Sequence, residues 1–118
     1  MNSILSQLDQ VLTERKAQAP EDSYVASLYH KGLDQILKKV GEEATETVMA
    51  AKDVAHQDNK QALVYEVADL WFHTLILLSQ QGCSSQDILT ELQKRFGLSG
   101  HEEKANRSKS DSSSLKNN

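Results

Sequence analysis

A single cysteine, Cys83, is present among 118 residues, so no internal disulfide can form, and a reducing compartment suits the chain. Aromatic residues are scarce. One Trp, three Tyr and two Phe leave a core that has to be built from aliphatic side chains. Basic excess is missing as well: 13 Lys and Arg against 17 Asp and Glu give a net charge of −4, which argues against broad nucleic-acid binding. An uninterrupted apolar run such as Leu75 to Leu78 is far too short to span a bilayer. The first residues carry Asp9 and Glu14 and lack the apolar stretch of a signal peptide. There is no phosphate-binding G-x-x-x-x-G-K loop, no G-x-G-x-x-G, no nucleophile elbow, and no zinc spacing among the histidines and Cys83. These absences describe a cytoplasmic protein with neither membrane nor nucleic acid as partner.

Helical periodicity is what remains. Ile4, Leu5, Leu8, Val11 and Leu12 recur on one face, predicting a first helix over about 3–17 with Ser3 as its cap and Pro20 beyond its end. Asp22 or Ser23 caps a short helix carrying Tyr24, Val25, Leu28 and Tyr29, which stops near Gly32. A third helix is predicted over about 33–56 and a fourth over about 59–81, with Gly82 at its stop. Ser84 or Ser85 then caps a fifth, bearing Ile88, Leu89, Leu92 and Phe96 and closed by Gly97. No segment alternates as a strand would. The class is all-α. The predicted organisation is a helical domain over 1–98, a C-terminal segment over 99–107 and a disordered polar tail over 108–118.

Five carboxylates stand out. Glu42, Glu43 and Glu46 form E-E-x-x-E, and Glu66 and Asp69 form E-x-x-D, with nineteen residues between the sets. The short polar link between the third and fourth helices predicts an antiparallel hairpin. With the turn near residue 58, Glu46 comes level with Asp69 and Leu70, Glu43 with His73, and Glu66 with Ala50. On the helical wheel the acids border the apolar stripe of Val40, Ala44, Val48 and Ala51 rather than opposing it. Acids crowded this way repel each other and desolvate poorly unless a cation sits among them. Oxygen-only ligands suit Mg²⁺, with Mn²⁺ as an alternative, rather than zinc. Lys39 lies on the same arc and can balance the acids or reach a phosphate. Gly41, inside a strong helical pattern, is either a tolerated surface glycine or a point of close approach.

The stretches SYVASLYHKGLDQILKKVGEEATE (23–46) and EVADLWFH (66–73) resemble the MazG-like superfamily of all-α nucleotide pyrophosphohydrolases. RFGLSGHEEKANR (95–107) looks like the C-terminal signature of one branch, which serves histidine biosynthesis. That resemblance spans about residues 5–107 and implies Mg²⁺-dependent hydrolysis of phosphoribosyl-ATP to phosphoribosyl-AMP and pyrophosphate. The residues themselves supply the mechanism class: Glu42, Glu46, Glu66 and Asp69 as metal ligands neutralising the triphosphate, with Glu46 also serving catalysis. Glu43 would position or deprotonate the attacking water, or add a ligand. Lys39, Arg95, Lys104 and Arg107 would contact phosphate. A fourth helix nearly encircled by Val64, Val67, Ala68, Leu70, Trp71 and Leu75 to Leu78 predicts an obligate homodimer with a shared four-helix core, which agrees with the resembled family. Two other functions remain compatible with the residues: house-cleaning hydrolysis of another nucleoside triphosphate, and a non-catalytic helical interaction module.

Overall fold

The structure, a computed structural model, describes residues 3–97, apart from the side chains of Ala55 and Gln57. Helix boundaries follow local chemistry. Helix α1 (Ile4–Arg15) starts where the Ser3 side chain accepts the Ser6 amide. A short 3₁₀ turn over Pro20–Asp22 leads to α2 (Tyr24–Lys31), capped by Ser23 rather than Asp22, through the Ala26 amide. Gly32, at φ 99°, ends α2 and begins α3 (Leu33–Gln57), a backbone angle that side chains rarely adopt. Asp58 takes the left-handed conformation at φ 52°, and Asn59 caps α4 (Lys60–Gln80) by accepting the Ala62 amide at 3.2 Å. Helix α5 (Ser85–Phe96) follows. No strand occurs among the described residues, so the all-α class holds.

The chain divides into two compact units at Ser84–Ser85. In the first, Leu12 of α1, Val25 and Leu28 of α2, Ile36 of α3, and Leu75 and Ile76 of α4 form the core. Each fully buried leucine or isoleucine there contributes about 1.5–3 kcal/mol. Lys16 reinforces the closure of α1 on α4 by donating to the Ser79 carbonyl at 2.7 Å. Tyr29 does the same between α2 and α1, its hydroxyl donating to the Leu12 carbonyl at 3.0 Å. In the second unit α5 is amphipathic, and Arg95 pairs with Glu91 at 3.1 Å.

All of these core residues on α3 and α4 lie far from their connecting turn. Nearer the turn the hairpin keeps apolar surface in solvent: Val48 is 62% exposed, Met49 60%, Val64 57% and Trp71 59%. Val48, expected in the core stripe, therefore lies outside the core, because α1 and α2 are too short to cover both ends of the hairpin. By length and composition α4 also passes for a membrane span. Glu66 and Asp69 sit mid-helix, however, where an acid in a bilayer costs about 2.5–3.5 kcal/mol.

Candidate active site

The acids gather where the core gives way to that open end. One carboxylate oxygen each from Glu43, Glu46 and Glu66 lies within 4.8 Å of the other two. Glu43 is buried at 4% exposure, Glu66 is half-buried and Glu46 exposed, so the cluster forms a ramp from core to solvent. Level pairing across the hairpin placed Glu46 beside Asp69, whereas the structure groups it with Glu66. Ala50 and Glu66 do line one cavity together, as expected. Glu46 sits one turn from Ala50, about 6 Å along the axis, and two glutamate side chains bridge that offset. The cavity, about 280 Å³, extends from Glu46 and Glu66 along Met49, Ala50 and Asp53 to Asn59 and Ala62.

Local hydrogen bonding holds the two helices at this height. The Thr47 hydroxyl lies 2.9 Å from the Glu43 carbonyl and 3.3 Å from the Glu66 carbonyl. Lys39 stands one turn above the acids, 3.4 Å from Glu42 and 3.5 Å from Glu43. Lys39 thus balances the acids at one point, as its place on the same arc suggested. Desolvation would lower the Lys39 pKa, yet Tyr24, Glu42 and Glu43 together hold it above its ordinary value. Glu42 stands beside this lysine and Asp69 beside His73, and neither is in the close group of three.

Two oxygens bear on metal binding. Glu43 Oε1 and Glu66 Oε1 are shielded from solvent and have no hydrogen-bond partner. An acceptor so placed has lost its water without gaining a donor, which is costly. Desolvation, then the charges of Glu46, Glu43 and Asp69, raise the Glu66 pKa above its ordinary value of 4.5. A divalent cation among these carboxylates would satisfy Glu66 Oε1 and remove the repulsion, and Glu43 Oε1 would accept either from that cation or from a water beside it. The donor set is oxygen throughout, so the residues present fit magnesium or manganese.

Sequence reasoning took Tyr24 only as part of an apolar face. It lies at the site instead: its hydroxyl is 2.7 Å from His73 Nε2, and the His73 Nδ1 is 2.8 Å from the Asp69 carbonyl. Thr47 was passed over too. The signal for both was position, Tyr24 directly after a serine cap and Thr47 four residues beyond Glu43. Arg95 belongs to the second unit, paired with Glu91, while Lys104 and Arg107 lie outside the described residues.

Fold and site together define an all-α protein with an oxygen-only acidic centre built on one helical hairpin. Residues 5–96 match the family model described as phosphoribosyl-ATP pyrophosphohydrolase, and the chain belongs to that family. It is similar to the phosphoribosyl-ATP pyrophosphatase of Hydrogenovibrio crunogenus, with 76% identity over 110 residues, 93% of this chain and 97% of that protein. The resemblance drawn from the motifs is thereby confirmed. Both acidic motifs fall inside the matched stretch, and most of the C-terminal signature lies beyond it.

Proposed function

We propose that this chain hydrolyses the α–β phosphoanhydride of phosphoribosyl-ATP, giving phosphoribosyl-AMP and pyrophosphate in the second step of histidine biosynthesis. The observation that carries this reading is the convergence of Glu43, Glu46 and Glu66 with two unpartnered, shielded oxygens among them. Glu42, Glu46, Glu66 and Asp69 are the proposed ligands of Mg²⁺, with Mn²⁺ as a substitute. Bound there, the metal would neutralise the triphosphate and the developing charge on the leaving pyrophosphate. Glu46, with a carboxylate oxygen within 4.8 Å of one from each motif, would also serve catalysis through the metal it helps to hold.

Glu43 has a divided role. Its Oε2 pairs with Lys39, which fixes the carboxylate, and its bare Oε1 is the acceptor that orients the attacking water and draws its proton. Lys39, held charged, is placed to follow the substrate phosphates. Arg95, Lys104 and Arg107 are proposed as further phosphate contacts on the strength of the motif they occupy. The exposed apolar end of the hairpin supports a homodimer whose helices complete a shared four-helix core. A cytoplasmic location follows from the pathway. Purified protein with Mg²⁺ and phosphoribosyl-ATP is expected to release pyrophosphate, and EDTA to stop it. Release of orthophosphate would place the cut at another bond and overturn the assignment.

A further inference from the structure

The hydrogen-bond chain from Asp69 through His73 to Tyr24 has a direction. The Asp69 carbonyl can only accept, so His73 Nδ1, at 2.8 Å, must carry the proton. In the neutral ring Nε2 is then bare, and the Tyr24 hydroxyl at 2.7 Å donates to it. The imidazole is 4% exposed and packed edge-on against Phe72 and Tyr24, which leaves it little freedom to turn over. Tyr24 itself is 50% exposed. Its phenolic proton is committed inward, so towards solvent it offers lone pairs alone.

His73 connects that oxygen to the acid site, with Nε2 2.7 Å from the hydroxyl and Nδ1 4.0 Å from Asp69 Oδ1. Burial raises the Tyr24 pKa, and Lys39, Glu43, Asp69 and Glu42 all act on the phenol. An acceptor in this position does not suit an ionised phosphate, which has no proton to give. A nucleotide does have donors close by. The ribose is attached to the α-phosphate through its 5′ carbon, so its hydroxyls are the nearest donors to the anhydride addressed by the acids.

We infer that Tyr24 is a substrate-contacting residue whose hydroxyl, held by His73, accepts a hydrogen bond from a hydroxyl of the ATP ribose. This rests on the reaction proposed above. The bond between Tyr24 and His73 thus joins α2 to α4 and at the same time fixes which way the phenol's free lone pairs face.

The test combines spectroscopy with kinetics on the full chain. Nitrogen-15 NMR of His73 is expected to show a protonated Nδ1 and a bare Nε2; a protonated Nε2 would instead donate to the tyrosine, turn the phenolic proton outward and overturn the inference. Steady-state rates are then compared for phosphoribosyl-ATP and its 2′-deoxy and 3′-deoxy forms, altered in the ATP ribose. Tyr24→Phe is expected to lose about fivefold in kcat/KM on the parent substrate, mostly through KM. Wild type loses about the same on one deoxy form, and there the variant loses nothing more. An equal loss for the variant on all three substrates assigns Tyr24 a structural role and refutes the contact. So does a wild-type enzyme indifferent to both hydroxyls, a result that needs no variant. Wild-type turnover of the parent substrate tests the reaction separately, and its failure would leave the NMR result standing.

Discussion

Thr47 reaches across the hairpin to Glu66, its hydroxyl 3.3 Å from that residue's carbonyl while 2.9 Å from the carbonyl of Glu43. One hydroxyl proton is thus shared between the backbones of two clustered acids, one from each motif, with the nearer acceptor inside α3. Such a tie sets the axial register of α3 against α4 at the height where the carboxylates meet.

Thr47→Val keeps the branched shape and removes the hydroxyl, so it should cost about 1 kcal/mol of stability, and Thr47→Ser much less. Urea unfolding at one fixed protein concentration measures both. A larger loss for Thr47→Ser than for Thr47→Val would mean that the methyl, not the hydroxyl, holds the register.

Glu46→Gln, Glu66→Gln and Asp69→Asn are expected to reduce pyrophosphate release on the order of 10²-fold. Metal-free, each should melt no earlier than wild type, since size is kept and like-charge repulsion is relieved. A much lower melting temperature for any of them would mark that acid as a structural partner instead.

The metal-free protein should lose stability as pH rises through and above 4.5, the ordinary Glu66 value. The sign follows from linkage: a carboxyl whose pKa is raised by folding holds more protons in the native state, so removing them disfavours that state. Glu66→Gln removes this contribution, and saturating Mg²⁺ should mask it by favouring the ionised cluster. Thermal melts between pH 4 and 7 would show the slope. A metal-free Glu66→Gln variant with the same slope as wild type would exclude Glu66 as its source.

Gly41 sits within α3 with nothing within 4 Å of where a Cβ would stand. Gly41→Ala should therefore gain about 0.5–1 kcal/mol of stability with kcat/KM unchanged. A more stable but slower enzyme would show that substrate lies against the bare backbone beside Glu42.

Assembly has its own readout. Light scattering at micromolar concentration should report about twice the 13.2 kDa chain mass. Trp71, 59% exposed in the single chain, should fluoresce as a buried indole in that species. An active monomer would remove the shared core.

Helix positions were legible because each rests on local signals: Ser3, Ser23, Gly32 and Gly82 mark ends whatever the rest of the chain does. The acids were legible for a similar reason, since a hairpin with a short link leaves two helices little choice of partner. Their grouping was not. Whether Glu46 meets Asp69 or Glu66 depends on side-chain reach and on the Thr47 bond, neither of which hydropathy records. Tyr24 was hidden because a tyrosine on an amphipathic face looks like core until its hydroxyl finds His73, 49 residues away. Val48 misled in the opposite sense, as periodicity predicts an apolar face without saying which chain covers it.

The two-residue link of Asp58 and Asn59 has a kinetic consequence. Glu46 and Glu66 stand twenty positions apart in sequence, so bringing them together closes only a small loop, and small loops close cheaply and fast. Folds dominated by such near-neighbour contacts cross their folding barrier early. A hairpin that closed first would bring the acids together before α1 finds its distant place on α4. Repulsion within the cluster would then be present while the chain is still choosing its structure, and a cation captured at that moment would speed folding as well as catalysis.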